Sequence, residues 1–385
     1  MKCTLAKAIA LLAVPFTVML AGNARAAVPE EMHGGLQSTC LRTTEGAVQC
    51  WGGNSEGQLG IGTLVNGLQP ATVSGLSSGV SRLAVGYQHA CVIKTDGSAA
   101  CWGRNDTGQM GDNTKIRRTT PVAVTGIANA VSIAAGVYHS CALISGGNVK
   151  CWGQNNQGQL GDSTVLQRLT PIDVLGLTGA TQIVTGQLHS CALLSNGQIK
   201  CWGGNADGQL GTGNTVGALS PVLVTGLNDA VAVIAGQYHT CAKTAGGAMK
   251  CWGKFDYGQL GNGMTGSPAS IKVSSPTDVI GLQSGVFSIF TSSSPVTCAL
   301  LEIGIAKCWG ANGLGGLGVG DKLTHSTPTN VINLNGWINK FTIGGQMGCA
   351  HTSSDGLVCW GANNVGQHGA GNTASVNFPQ HVIGY

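Results

Sequence analysis

The sequence predicts an all-β fold, a seven-bladed β-propeller built from four-stranded repeats of about fifty residues with a disulfide inside one hairpin of each. Three observations carry this. Fourteen of the fifteen cysteines form seven pairs ten positions apart: Cys40/Cys50, Cys91/Cys101, Cys141/Cys151, Cys191/Cys201, Cys241/Cys251, Cys298/Cys308 and Cys349/Cys359. Each second cysteine is followed at once by Trp and Gly, the tryptophans being Trp51, Trp102, Trp152, Trp202, Trp252, Trp309 and Trp360. Short β-branched runs broken by Gly, Asn and Ser fill the chain, which holds 62 glycines and only 9% charged residues, the pattern of many short strands rather than of amphipathic helices.

The first 26 residues stand apart from the repeats. Lys2 and Lys7 precede an apolar stretch from Ala8 to Ala21, and Ala24-Arg25-Ala26 follows as a small-x-small cleavage pattern. This is the layout of a secretory signal peptide. A membrane anchor is the competing reading, but the apolar run contains Pro15 and is short against the roughly 20 residues of a spanning helix. Residues 1–26 are therefore read as a leader and residues 27–385 as one propeller, exported to the periplasm or the medium without membrane insertion after cleavage. Cleavage removes Lys2, Lys7, Arg25 and the unpaired Cys3 but no acid, so the formal charge falls from +4 to +1. Such a body lacks the basic footprint of a nucleic-acid binder.

Within a unit, four short strands are expected. In the third they are Val131–Ala135, His139–Ile144 and Asn148–Trp152, with Pro121–Val124 from the preceding linker as the fourth. Ser145-Gly146-Gly147 turns the second into the third, the final glycine suiting a type I turn closed by a bulge residue at positive φ. If Ile144 pairs with Asn148, Cys141 lies opposite Cys151, and both point to one side of the hairpin, close enough for a disulfide. Ser140 and Trp152 lie on the other side. A bare Trp face is costly in water, so each unit must cover its neighbour. Asn three after Trp (54, 105, 155, 205, 312, 363) and Gly six after Trp in all seven units read as turn residues, and a Pro-x-x-Val phrase recurs from Pro70 to Pro379.

Two alternatives attach to these residues. His139, Cys141 and Cys151 have a composition suited to zinc, but three units keep both cysteines and lack the histidine, so the cysteines are read as disulfides of an oxidising compartment. The tryptophans, which could form a sugar-stacking array, alternate correctly for blade packing. An open solenoid needs polar capping units, and the last unit keeps Cys349, Cys359, Trp360 and Gly361, so a closed ring is expected. The chain ends at Val382-Ile383-Gly384, where the next valine-rich strand is due, and residues 28–35 are the candidate for that strand; closure by mixing the two termini follows.

The segment GVYHSCALISGGNVKCWGQNNQGQLG (136–161) resembles the regulator of chromosome condensation repeat, and the resemblance covers nearly the whole chain beyond the leader. That family forms seven-bladed propellers. Its Gly-x-x-His phrase maps here to Gly86/His89, Gly136/His139, Gly186/His189 and Gly236/His239. The four histidines are read as structural hydrogen-bonding residues between blades. Ser38, Val296 and Met347 stand at the His position elsewhere, Phe255 replaces the Asn of the fifth unit, and Gly316 and His368 interrupt the Gln-Leu-Gly phrase of the last two.

Catalytic signatures are nearly absent. Gly75-Leu76-Ser77-Ser78-Gly79 matches the nucleophile-elbow pattern without its strand–turn–helix setting, and no phosphate loop, HExxH or calcium loop occurs. No cofactor and no metal are implied, and the expected molecule is a monomer. The leading reading is a non-enzymatic scaffold that recognises another protein; by resemblance, relatives on this fold include a secreted inhibitor of β-lactamase. Phe255, Tyr257 and Met264, beside an insertion at 262–275, are the candidate anchors, against the plainer reading that Phe255 and Tyr257 pack under that insertion. The first alternative, also by resemblance, is guanine-nucleotide exchange on a small GTPase; the second is a lyase or hydrolase sited in the central channel.

Overall fold

A computed structural model describes residues 28–266 and 272–385. The leader reading of residues 1–26, Cys3, and residues 267–271 of the fifth-unit insertion lie outside the described residues. Seven four-stranded antiparallel sheets follow one another along the chain, at 29–72, 80–123, 130–173, 180–223, 230–278, 286–330 and 338–381. No helix occurs among the described residues.

The third blade shows how residue pattern becomes sheet. Its strands are Ala130–Ala135, His139–Ile144, Asn148–Gly153 and Arg168–Asp173, paired in that order. Ile144 pairs with Asn148, and the register then sets Cys141 opposite Cys151 and Ser140 opposite Trp152. The Gly147 amide donates to Ile144 O at 3.0 Å and Gly147 has a φ of 86°, a backbone that only glycine takes without cost.

All seven cysteine pairs are joined as disulfides at the same sequence separation of 10: Cys40–Cys50, Cys91–Cys101, Cys141–Cys151, Cys191–Cys201, Cys241–Cys251, Cys298–Cys308 and Cys349–Cys359. Their sulfurs are bonded to each other, so no thiolate is left to complete a zinc site. All fourteen are fully buried, which makes them core residues that no ligand or partner reaches. The second cysteine of each pair also meets the outer strand. Cys50 faces Ala71, Cys101 faces Val122, Cys201 faces Val222 and Cys308 faces Thr329, and in each case the register shifts before the glycine two residues on. Nothing in the cysteine spacing announces this bulge. It arises because the strand carrying Cys50, Cys101, Cys201 or Cys308 is held in strict register on the hairpin side only.

The fourth strand corrects the sequence reading. Arg118–Ala123, which contains Pro121, pairs with Ala99–Gly103 of the second blade and not with the third. The Pro-x-x-Val strand thus ends its own repeat on the outer edge. Pro171 sits where the register breaks between Cys151 and Gly153; an edge strand at a bulge is where a residue without N–H is tolerated. Val174 then turns inward, its amide bonded to Val149 O at 2.9 Å, and is buried.

Blades pack with the cystine of one against the tryptophan of the next. Cys141, Cys151, Leu160 and Val174 of the third blade share a cluster with Ile183 and Trp202 of the fourth. All seven tryptophans of the repeat are fully buried, which excludes a sugar-stacking surface. Each removes roughly 200 Å² from water, on the order of 5 kcal/mol in transfer terms. The indole N–H of each also donates across the interface: Trp152 to Gln109 O at 2.8 Å, Trp202 to Gln159 O at 2.9 Å, Trp252 to Gln209 O at 3.0 Å.

The same bond closes the ring, Trp51 Nε1 reaching Gln367 O at 2.8 Å, and Gly345 N donates to Gly35 O at 2.8 Å. Closure therefore joins the first blade to the seventh, as a ring requires and a solenoid forbids. The expected mixing of termini does not occur. Pro29–Gly34 is the inner strand of the first blade, and Val376–His381 is the outer strand of the seventh. Closure rests on packing, with Met32, Leu41 and Trp51 against Met347, Cys349 and Val382.

Candidate functional site

The repeat histidines join neighbouring blades, as expected from the sequence. His89 Nε2 lies 2.9 Å from Ser140 Oγ, His139 from Ser190, His189 from Thr240 and His239 from Thr297, all at the same distance. Each hydroxyl in turn donates to a backbone carbonyl: Ser140 to Gln109 O at 3.0 Å, Ser190 to Gln159 O at 2.9 Å, Thr240 to Gln209 O at 2.8 Å, Thr297 to Gln259 O at 2.7 Å. Its proton committed there, the hydroxyl accepts from the ring, so the imidazole carries its hydrogen on Nε2. The four Nδ1 atoms are buried and unbonded, with the Cα of the phrase's glycine close against the ring at Gly86, Gly136, Gly186 and Gly236. Burial accordingly drives the pKa of His89 and His239 down to about 4, and of His139 and His189 to about 3.

These pairs have the composition of a base and a nucleophile, yet neither partner meets solvent and the hydroxyl proton is spent on a carbonyl. Their function is joining blades. The partner residue, one before the first cysteine, escaped the sequence reading, although a signal was present. Where that residue is Ala90 or Gly348, the preceding blade has Ser38 or Val296 in place of His. Met347 keeps the link in another form, its sulfur taking the Thr39 hydroxyl at 3.4 Å.

Between the glycine and the histidine of each phrase, two residues lie at one end of the ring, beside the Trp-Gly-x-Asn loops, Val137 alone among those of the four phrases being buried. Here Tyr87, Tyr138 and Tyr238 are half-buried. The Arg104 guanidinium lies 5.2 Å from the centre of the Tyr138 ring, and the Lys254 ammonium 5.2 Å from that of Tyr238, both within cation–π range. Arg104 is held by Asp106 at 2.9 and 2.6 Å and by Gln88 Oε1 at 3.0 Å; the Asp106 bond raises its already high pKa. Lys254 pairs with Asp256 at 3.2 Å. Gln237 Nε2 donates to Gln187 Oε1 at 2.7 Å. Burial, and then neighbouring Tyr138, raise the Tyr87 pKa; burial raises that of Tyr238. Both hydroxyls stay protonated donors at neutral pH.

The structure divides the three candidate anchors. Phe255 is only 3% exposed and lies in the core with Cys241, Met249, Cys251 and Leu260, so it is withdrawn from the surface. The reason is local. In other blades the Asn at this position ties its loop through Nδ2, as Asn155 does to Thr164 O and Leu166 O at 3.1 Å. Phe255 cannot make those bonds and fills the space with its ring. Met264 is half-buried against the same core. Tyr257 is 49% exposed and borders a cavity of about 200 Å³ shared with Tyr238, Lys254, Gln259 and Pro295. The face thus joins Tyr257 to Tyr238 and Lys254, and extends to Tyr138, Arg104 and Tyr87. The last five were missed because the tyrosines lie in the varying positions of the Gly-x-x-His phrase, and Arg104 and Lys254 in the varying position after Trp-Gly, where the fixed residues draw attention.

An RCC1-like domain model matches residues 18–350 of the chain. The ultraviolet-B receptor UVR8 of Arabidopsis thaliana is 34% identical over 90 residues, which are 23% of this chain; the chain spans about a fifth of that receptor's length, 20%. Among solved structures, Prp20p of Saccharomyces cerevisiae superposes with a TM-score of 0.72 at 24% identity, covering 83% of this chain and 81% of that one. Human WBSCR16 gives 0.75 at 22% identity, with 88% and 94% covered. At these identities the superpositions speak for the fold alone.

Proposed function

The chain belongs to the RCC1-like domain family, and from that premise we propose that it is an exported, non-enzymatic scaffold whose tyrosine-bearing face grips another protein. The observation that carries the reading is the cluster itself: Tyr87, Tyr138 and Tyr238 half-exposed at one end of the ring, two of them beneath cations, with Tyr257 standing out at its edge. Tyr and Arg are the residues that anchor protein interfaces, and a rigid ring holds them at low entropic cost. Seven disulfides and the charged-then-apolar start of the chain support export to an oxidising compartment. The burial of every histidine–hydroxyl pair supports the absence of catalysis.

Prp20p is described with its binding to Gsp1p and histones, so a GTPase-directed role is the second reading. Seven disulfides weigh against a cytosolic partner, and the small net charge weighs against chromatin. Photo-crosslinking separates the readings. A crosslinking amino acid placed at Tyr257 or Tyr138 should trap a discrete partner in the envelope or secretome of the source cell. Placed at Asn196, on an exposed turn at the opposite end of its blade, it should not. Equal trapping at both ends, or stimulated nucleotide release from a small GTPase, would defeat the proposal.

A further inference from the structure

The inner strands surround an axial cavity of about 450 Å³, inside the roughly 300–1,000 Å³ range of small-molecule sites. Its wall is graded along the strands. The middle is mostly apolar, with Val184, Ile234 and Phe290 all only partly buried, and with His33 and Thr342 at the same level in the first and seventh blades. The end nearer the tyrosine face opens into a smaller polar space of about 130 Å³ beside Thr185 and Ser293, and the buried Ser293 hydroxyl has no hydrogen-bond partner.

The opposite mouth is charged. Glu31 is committed to the Leu83 amide at 2.8 Å and to Arg42 at 3.3 Å, and approaches Arg82 only to 3.7 Å. The Gln182 side-chain amide is likewise spent, its two atoms on Val233 O and Val233 N at 2.9 and 3.0 Å. Arg82 is different. Its guanidinium makes one short bond, 2.8 Å to the carbonyl of adjacent Ser81, and the side chain is 54% exposed. A guanidinium has five donors in a fork that suits a carboxylate; the Arg82 contacts to Ser81 and Glu31 are both made by Nη1, which leaves Nε and Nη2 without a partner among the described residues. Lys340, at the corresponding strand position of the seventh blade, pairs with Glu30 at 3.8 Å much as Arg82 pairs with Glu31 at 3.7 Å, but Arg82 lines the cavity and Lys340 does not.

We infer that the axial channel binds a small amphipathic anion, its apolar body against Val184, Ile234 and Phe290 and its carboxylate on Arg82. This site is separate from the tyrosine face and stands or falls without it.

The repeats supply variants that the fold already accepts. Ser132 occupies in the third blade the position of Arg82 in the second, so Arg82→Ser removes the cation and keeps the strand. Ile234, which lines the channel, occupies the position of Ala84 and Ala134, so Ala84→Ile/Ala134→Ile narrows the channel with a residue used there elsewhere. Titration calorimetry with octanoate, octanol and octyltrimethylammonium on the purified oxidised chain reads the site. Octanoate should bind saturably, one per chain, and more tightly than the other two. Arg82→Ser should weaken octanoate about tenfold, the size of one lost charge-assisted contact, and leave octanol unchanged. The narrowed double variant should lose both ligands while keeping the wild-type melting curve. No saturable octanoate binding, equal binding of octyltrimethylammonium, or undiminished binding in the narrowed channel overturns the inference.

Discussion

At the residue scale, the most consequential side chains are ones that look catalytic and are structural. His89, His139, His189 and His239 are held neutral because a second proton would place an N–H on Nδ1 inside a dry contact with no acceptor. Their folded pKa values of about 3 to 4 lie below the unfolded value of 6.5, so the unfolded chain binds more protons in acid. The stability they contribute is therefore complete above pH 6.5 and is lost progressively as pH falls toward 3 to 4, at about 1.4 kcal/mol per histidine per pH unit. Urea midpoints measured from pH 7.5 to 4.5 should fall steeply below 6.5, and less steeply in His139→Gln. Phe255 and Tyr257 make a second pair of expectations. Phe255→Ala should cost about 3–5 kcal/mol by emptying a core site, whereas Tyr257→Ala should stay within about 0.5 kcal/mol. Chemical denaturation checks both, and the reverse order would place Tyr257 in the core.

At the scale of the element, the unit is a hairpin with a cystine on one face and a tryptophan on the other. The hairpin was legible because period-two alternation, a glycine turn and a ten-residue cysteine spacing all require the same register. Register is strict when both faces are buried, since a one-residue slip exchanges them. Replacing Cys141 and Cys151 together by alanine should cost about 2.5–3 kcal/mol on chain-entropy grounds. Unfolding under non-reducing conditions measures it, and a loss below about 1 kcal/mol would show that neighbouring blades already hold the hairpin closed. The outer strand was assigned to the wrong hairpin because Arg118–Ala123 is polar, half-exposed and paired over few residues. Nothing in its pattern distinguishes the hairpin before it from the one after.

At the scale of the whole molecule, seven like interfaces form a ring with no free sheet face. Closure is one more copy of the cystine–tryptophan interface, with Trp51 taking the carbonyl of Gln367. Removing residues 28–37 strips the inner strand from the first blade and uncovers Leu41 and Trp51 on one side and Met347 on the other. The shortened chain should melt at a lower urea concentration with a smaller m value and bind apolar dyes. An unchanged midpoint and m value would mean that the ring does not depend on that strand.

The repeat phrase alone determined the blade count, the paired cysteines, the buried tryptophans and the joining role of the histidines. Each follows from short-range periodicity and from the need to cover an apolar face. Only the tertiary structure decided which strand completes which blade, how the ring shuts, that Phe255 faces inward, and that Tyr87, Tyr138, Tyr238 and Tyr257 meet Arg104 and Lys254 on one face. Those features depend on contacts between residues about fifty or three hundred positions apart. A local pattern carries no energy term for contacts that exist only once the blades have closed on one another.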